Sequence, residues 1–193
     1  MEVVVGITGA SGVDIGARLL DVLSKGGHTT HLVLSDSAID ILSFESNTQV
    51  ATLKKMASRC WDNSQLYAPI ASGSHRTDAM VVAPCSMKSL SSIANGYSDT
   101  LISRAADVCL KERRTLVLVP RETPLSYVHL ENMVKATRAG ACILPACPAY
   151  YTRPTTVEEC IDFIVGRVLD VLAIPHELYR RWDPPSELFD ELP

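Results

Sequence analysis

Short β-prone apolar runs alternate along the chain with stretches of helical periodicity. The runs predict strands of a parallel sheet buried on both faces, and they cover residues 2–8, 28–34, 78–83, 115–120 and 141–144. Helical spacing of apolar residues covers residues 14–25, 38–44, 50–60, 99–113, 126–139 and 156–173, with a shorter helix ending near residue 94 and a turn at 61–63. This alternation predicts one α/β domain with a mostly parallel sheet and helices on both faces.

The first predicted strand is followed by a small-residue loop, Gly9-Ala10-Ser11-Gly12, and then by a helix. Glycines let the backbone approach a ligand closely, and a helix N-terminus offers free N–H groups to an anion. The loop therefore favours a nucleotide-type site, although it is not a G-x-G-x-x-G fingerprint and the chain has no P-loop motif. A turn of this kind also arises for packing reasons alone, so both interpretations stay open.

Two further loops at predicted strand ends carry candidate ligand-binding residues. Ser35 follows the second strand and is suited to cap a helix or to face a ligand, the cap being the commoner role. The loop Pro84-Cys85-Ser86-Met87-Lys88-Ser89 follows the third strand and leads into a helix. Because ligands bind outside the carboxyl ends of strands in open α/β sheets, we expect this loop and the first to flank a crevice. Cys85 is a candidate nucleophile, but no His lies near it in sequence, which favours a structural role.

The most highly charged strand end follows the run TLVLVP. Arg121 and Glu122 come directly after this strand, while Arg104 and Lys111 fall on one face of the preceding predicted helix. We expect the three cations and the carboxylate to meet at one edge of the sheet, which would suit an anionic ligand and a proton-handling group. The alternative is a solvated charge cluster with an ordinary ion pair.

Composition narrows the function classes. The chain has 193 residues, 47% of them hydrophobic, which suits one globular domain with a sizeable core. A net charge of -4 argues against a general nucleic-acid binder. Six cysteines without a C-x-x-C pair, and a start without a signal peptide or a membrane-spanning run, predict reduced thiols and a cytoplasmic protein. His28 and His31 form an H-x-x-H at a strand start, where they would not share a face, so no metal site is expected.

Four segments carry a family resemblance that spans most of the chain. They are GITGASG, SGS followed by AMVVAPCSMKSLS, RAADVCLKERRTLVLVPRETPLS, and PAYYTRP followed by GRVLDVL. Together they resemble the UbiX-type flavin prenyltransferases, which are Rossmann- or flavodoxin-like three-layer proteins. The resemblance implies transfer of a dimethylallyl group from dimethylallyl phosphate to N5 and then C6 of reduced FMN, without a metal. The prenylated FMN would serve a UbiD-type decarboxylase.

The resemblance also implies roles for individual residues. The flavin-binding residues would be Gly9, Ala10, Ser11, Ser35, Ser86, Met87, Lys88, Ser89 and Arg121. The prenyl phosphate would be held by Lys111, Tyr151 and Arg167, with Arg104 supplied to the same pocket across a subunit contact. Glu45 and Glu122 would handle protons, Trp182 would lie near the prenyl group, and Lys111 and Ser11 are also counted as catalytic. Carboxyls suit proton transfer, and cations stabilise a departing phosphate.

The sequence departs from the family pattern at Ile15, where relatives often carry an aromatic residue. Two alternatives remain open beside prenyl transfer: a flavin-binding accessory subunit without turnover, and a flavin-dependent cysteine decarboxylase. The latter would need a catalytic His and a P-x-M-N-type motif, and PAYYTRP occupies the corresponding region. The resemblance further implies a homo-oligomer, typically a dodecamer with sites at subunit interfaces. We expect a flavoprotein domain over residues 1–175 and a tail, 176–193, that packs on the site or on a neighbouring subunit.

Overall fold

The computed structural model describes residues 1–183. The remaining part of the predicted tail, residues 184–193, lies outside the described residues. Among the residues described, no helix combines the length and apolar character needed to cross a membrane.

The described chain forms a six-stranded sheet and seven α-helices. The strands are β1 (Glu2–Ile7), β2 (Thr29–Leu34), β3 (Arg59–Asp62), β4 (Ala79–Cys85), β5 (Thr115–Pro120) and β6 (Cys142–Ile143). The helices are α1 (Val13–Lys25), α2 (Asp36–Glu45), α3 (Val50–Met56), α4 (Met87–Ala94), α5 (Leu101–Lys111), α6 (Tyr127–Ala139) and α7 (Val157–Val171), with a short 3-10 helix at Pro69–Ala71.

The sheet is parallel throughout, with the strand order β3-β2-β1-β4-β5-β6. Strand order reverses between β1 and β4, because the chain first builds outward to β3 and then crosses back to the other side of β1. In doubly wound sheets this reversal opens a crevice at the carboxyl ends of the two central strands. The predicted single α/β domain with helices on both faces is confirmed. The reversal of strand order makes this crevice the expected ligand site.

Side chains of β1 divide the core between the two faces of the sheet. Val3, Val5 and Ile7 are fully buried against α1 and α7 on one face. Val4 faces the other side, where α4, α5 and α6 cover the sheet. This is the pattern of a central parallel strand, whose apolar run is continuous because both faces are covered. The rigid layer holds the strand ends, and therefore the loops after them, in fixed positions.

One predicted element is wrong. We expected a helix over residues 50–60 followed by a turn at 61–63, but the helix ends at Met56 and Arg59–Asp62 forms the edge strand β3. An edge strand pairs on one side only, and among the described strands β3 pairs only with β2. Its two ends, Arg59 and Asp62, are exposed, so it lacks the apolar run by which buried strands are recognised.

Candidate active site

A cleft of about 560 Å³ lies at the carboxyl edge of the sheet. It is lined by the loops after β1, β2, β4 and β5 and by the start of α5. All nine predicted flavin-binding residues and both predicted acids line it: Gly9, Ala10, Ser11, Ser35, Glu45, Ser86, Met87, Lys88, Ser89, Arg121 and Glu122. The volume falls within the roughly 300–1,000 Å³ typical of ligand pockets. Residues from four separate loops thus meet in one cavity, as expected for loops that follow the carboxyl ends of parallel strands.

Helix N-termini surround this cleft. The N-cap residues of α2, α4 and α5 are Ser35, Ser86 and Thr100, and all three line the cavity. The Ser35 hydroxyl accepts the Ala38 N–H at 3.1 Å, so the cap role favoured from the sequence is observed. Each helix N-terminus carries a partial positive charge. Together with Arg121, they make the cleft suitable for an anionic ligand.

Two side chains tie the loops of the cleft together. The buried Thr8 hydroxyl donates to the Pro84 carbonyl at 2.8 Å and accepts the Ser86 N–H at 2.7 Å, which joins the loops after β1 and β4. Arg121 Nε donates to the Ser11 carbonyl at 3.2 Å and so joins the loop after β5 to the same frame. The cleft walls are therefore held in place by hydrogen bonds between the loops.

Gly9 lies where α2 comes closest to the first loop. A Cβ atom at Gly9 would lie 2.4 Å from the Cβ of Ser37, which also lines the cleft. No side chain fits at this distance, so glycine is required here for close approach of the two segments.

We expect Gly9→Ala to lower flavin affinity by about tenfold or more, because overpacking of this kind costs about 1–3 kcal/mol and moves the loop. Ser37→Gly removes the colliding carbon, so the double variant should recover most of the affinity. Titration of FMN into the single and double variants measures both effects. Flavin affinity of Gly9→Ala equal to that of the unchanged protein would show that the loop does not contact the flavin.

The two predicted acids enter the cleft from different elements. Glu45, the last residue of α2, accepts the Gly12 N–H through Oε2 at 2.8 Å. Gly12 precedes α1 in a left-handed conformation and offers no side-chain cap, so a carboxylate from α2 occupies that end of the helix. Glu122 Oε1 accepts the Thr123 N–H at 2.9 Å, and its side chain is exposed. Both carboxylates are thus oriented by backbone N–H groups on the wall of the cleft.

The expectation that three cations share one strand edge within a chain is wrong. Lys111 is the last residue of α5 and precedes the first residue of β5, whereas Arg121 follows the last. A six-residue strand is about 20 Å long, so the two cations lie at opposite edges of the sheet. Lys111 pairs with Glu112 beside Gly73, and Arg104 donates to the Ala71 carbonyl at 3.1 Å. Because α5 runs antiparallel to β5, the last residue of the helix, Lys111, lies at the edge of the sheet opposite to Arg121.

The three other predicted site residues, Tyr151, Arg167 and Trp182, lie on α7 or beside it, in a separate cluster. The Trp182 ring lies 5.2 Å from that of Tyr151, which lies 6.2 Å from Phe163. Arg167 is one helical turn beyond Phe163 and donates to Asp170 at 2.8 Å. Trp182 is 65% exposed, and neither Tyr151 nor Arg167 lines the cleft of their own chain. The predicted phosphate ligands therefore lie in two groups, both away from the acids.

Two features of the site region have structural explanations. Complete burial raises the pKa of the Cys85 thiol to about 12, so it remains protonated and acts as a packing residue, as the sequence favoured. Ile15 is buried in the core around α1, so the residue that departs from the family pattern does not line the cleft described here.

Glu2, His31 and His75 form the one group with metal-ligand spacing among residues 1–183. Trp61 Nε1 donates to His31 Nδ1 at 3.1 Å, so the hydrogen of the neutral ring lies on Nε2 and points to Glu2 at 2.7 Å. Burial lowers the pKa of His31, which keeps the ring neutral. A metal ion on Nε2 would need that hydrogen to move to Nδ1, against the Trp61 donor. The arrangement is therefore a hydrogen-bond network that joins β1, β2, β3 and the segment before β4.

Several residues of the cleft were missed from the sequence. They are Ser37, Ile41, Asn63, Ser92, Asp99, Thr100, Ile102 and Ser103. Asn63 is informative, because its side chain accepts the Ile102 N–H at 3.1 Å and its carbonyl accepts the Leu101 N–H at 2.7 Å. It thereby caps α5 from the end of β3. A polar residue directly after a strand is a candidate site residue. Asn63 was not predicted as one, because the strand before it, β3, was not predicted.

Fold and site together define an α/β protein of the doubly wound class, with a cleft suited to an anionic ligand at the reversal of strand order. Comparisons with known proteins identify it further. The family model described as Flavoprotein matches residues 1–169. A flavin prenyltransferase UbiX from Methanothermobacter thermautotrophicus is 51% identical over 180 residues, covering 93% of this chain and 94% of the relative.

Solved structures agree with this result. One is AnUbiX (PadA1) in complex with FMN and dimethylallyl pyrophosphate, with a TM-score of 0.94, 44% identity, and coverage of 96% of this chain and 98% of the other. A second is a dodecameric FMN-dependent UbiX-like decarboxylase from Escherichia coli O157:H7, with a TM-score of 0.93, 44% identity, and coverage of 95% and 100%. The chain therefore belongs to the flavoprotein family, as one of its UbiX-type flavin prenyltransferases.

Proposed function

We propose that this enzyme transfers a dimethylallyl group from dimethylallyl phosphate to N5 and C6 of reduced FMN, and that the cleft at the carboxyl edge of the sheet binds the flavin. The observation that carries the proposal is the convergence of the two acids, Glu45 and Glu122, with Arg121 in one cleft bounded by helix N-termini. When bound, FMN supplies the nucleophilic atoms of the prenyl acceptor. The chain supplies binding, orientation and proton transfer.

The cleft is suited in size and polarity to FMN, which is an anionic ligand with many hydrogen-bonding groups. Its polar lining is rich in hydroxyls and backbone N–H groups, as phosphate and ribityl oxygens require. We assign flavin contacts to the three loops after β1, β2 and β4 and to Arg121. They would be made by Gly9, Ala10, Ser11, Ser35, Ser86, Met87, Lys88 and Ser89. The open side of the cleft then leaves the reacting edge accessible to a donor.

Glu122 is our candidate for proton transfer. It is exposed on the cleft wall next to Arg121 and is oriented by a backbone N–H group. A carboxyl there can take the proton that leaves C6 or protonate the departing phosphate. Glu45 lines the same cleft, but its carboxylate accepts the Gly12 N–H at the N-terminus of α1. This contact favours a second role for Glu45, in which it orients the first loop.

Phosphate binding completes the site, and we propose that neighbouring subunits supply it. Lys111 with Arg104 lie on one part of the surface, and Tyr151 with Arg167 on another. Neither pair lines the cleft of its own chain. If all four contact the donor phosphate, only a symmetric homo-oligomer, a dodecamer by the family resemblance, brings them to the flavin. Cations there stabilise the charge that builds up on the leaving phosphate, and Trp182 offers an aromatic face to the allylic carbons.

Two further proposals concern the partner and the location of the enzyme. We propose that a UbiD-type decarboxylase receives the prenylated FMN, since the product has no use within this enzyme's own reaction. We also propose a cytoplasmic location, because all six cysteines are free thiols in the structure, as expected in a reducing compartment.

Release of the donor's leaving group tests the function. With reduced FMN and dimethylallyl phosphate under anaerobic conditions, we expect one inorganic phosphate per flavin consumed and no release with oxidised FMN. Dimethylallyl diphosphate in a parallel reaction, followed as pyrophosphate, shows which donor is used. Tight flavin binding with no release from either donor would instead identify an accessory flavin-binding subunit.

A further inference from the structure

We propose that Asp170 is a positioning residue that docks the segment 174–182, called here the C-terminal strap, onto α7 and fixes the guanidinium of Arg167. The inference deepens the proposed function and rests on it, because it takes Arg167 and Trp182 to serve the prenyl donor. The strap includes residues 176–182 of the tail, 176–193, that the sequence set apart from the flavoprotein domain.

Asp170 accepts four hydrogen bonds from four different side chains. Its Oδ1 accepts from His176 Nε2 at 3.1 Å and from Arg181 Nη2 at 2.8 Å. Its Oδ2 accepts from Arg167 Nη1 at 2.8 Å and from the Tyr179 hydroxyl at 2.5 Å. A carboxylate offers about four lone-pair positions, so this one is saturated. Three of the donors belong to the strap and one to α7, which makes Asp170 the point where the two meet.

The charge of Asp170 is fixed by its surroundings. Partial burial raises the pKa of this carboxyl, but the hydrogen bonds from Arg181, Tyr179 and His176 outweigh burial and hold its pKa far below the usual range. The group therefore stays ionised at neutral pH. Charge-assisted hydrogen bonds of this kind are stronger than neutral ones, so the docked strap has a defined geometry.

The strap is also shaped to fit the helix. A Cβ atom at Gly166 would lie 2.5 Å from Tyr179 Cδ1 and 2.8 Å from His176 Cε1, so a glycine in α7 makes the space that these rings occupy. The Leu178 N–H donates to His176 Nδ1 at 3.2 Å, which leaves the ring hydrogen on Nε2, directed at Asp170. Steric fit and hydrogen bonding thus select the same docked conformation.

Docking at Asp170 positions two residues assigned to the donor. Arg181 is bonded to Asp170 and is followed by Trp182, whose ring lies 5.2 Å from Tyr151. The Arg167 side chain is 49% exposed, so part of its guanidinium stays accessible to an anion while Asp170 holds the rest. Without Asp170, Arg167 and Arg181 would lose their common hydrogen-bond acceptor. Trp182 would then no longer be held in place through the adjacent Arg181.

Asp170→Asn tests this role, with Asp162→Asn as the matched control. Asp162 lies on the same helix and pairs with Arg18 of α1 at 2.6 Å, away from the strap. We expect Asp170→Asn to raise the KM for dimethylallyl phosphate roughly tenfold and to lower kcat, with the Kd for FMN within about twofold. The control should leave that KM unchanged. An unchanged KM in Asp170→Asn, or an equal rise in the control, would overturn the proposal.

A second readout does not depend on activity. Trypsin cleavage after Arg180 or Arg181 in the flavin-free protein should be at least about fivefold faster in Asp170→Asn than in Asp162→Asn, because an undocked strap is accessible. Gly166→Ala should give the same result without a change of charge, and it carries the test if Asp170→Asn does not fold. Equal cleavage of Gly166→Ala and the unchanged protein would overturn the docking. If no prenylated flavin forms at all, the proposed function fails, and cleavage still tests the docking alone.

Discussion

Glu122→Gln is expected to lower the rate of flavin prenylation by about 10²–10⁴-fold while FMN remains bound. Glutamine keeps the size of the side chain and an oxygen that can accept the Thr123 N–H, which is 2.9 Å away in the structure. It cannot take or give a proton at neutral pH, so a loss of rate without a loss of flavin affinity isolates the proton transfer. The flavin mass after a timed anaerobic reaction measures the rate.

Glu131→Gln is the control for this variant. Glu131 lies exposed on α6 and does not line the cleft, so its substitution removes the same charge from the chain without touching the site. We expect it to react at the unchanged rate. A normal rate in Glu122→Gln would assign the proton transfer to another group, with Glu45 the next candidate on the same cleft. An accessory carrier would form no prenylated flavin in either variant or in the unchanged protein.

Mixed oligomers of Lys111→Met and Glu122→Gln are expected to regain activity that neither variant has alone. Lys111 precedes β5 and Glu122 follows it, at opposite edges of the sheet, so one chain cannot bring both to one flavin. Loss of a charged group that stabilises the leaving phosphate should lower the rate about 10²–10³-fold. In a random equal mixture, about a quarter of the sites would combine an intact Lys111 with an intact Glu122 from neighbouring chains.

Co-expression of the two variants under different tags, with purification through both tags, provides the mixed oligomer. The control is the same procedure with Lys111→Met under both tags, which should remain inactive. Mixed oligomers as inactive as the two parents would show that sites are not shared between subunits in this way. Full activity of Lys111→Met alone would remove this residue from the mechanism.

The architecture was largely predictable because parallel strands buried on both faces have continuous apolar runs. The runs that became β1, β4 and β5 were each recognised within a residue or two of their ends. The strand β3 was not, because an edge strand with Arg59 and Asp62 exposed at its ends carries no such run. The helix predicted over this segment was accordingly too long.

The site was predictable to the extent that it follows from one rule. Loops at strand ends converge, so the rule predicts that the loops with Ser11 and Ser86 flank one crevice, and the family resemblance adds Arg121 to the same site. Lys111 was wrongly grouped with Arg121, although a residue just before a strand and one just after it lie at opposite edges of the sheet. The position of Arg167 could not be predicted, because sequence spacing gives the face of a helix but not what that face packs against. Thr8 was missed because nothing in an apolar run shows that a hydroxyl within it joins two loops.

Mass spectrometry of the flavin released after anaerobic reaction with reduced FMN and dimethylallyl phosphate tests whether the protein prenylates FMN. We expect a flavin heavier than FMN by one C5 prenyl unit, formed by the unchanged protein and not by Glu122→Gln in the same time. Recovery of unmodified FMN from folded, flavin-loaded protein, with either the monophosphate or the diphosphate donor, would contradict it.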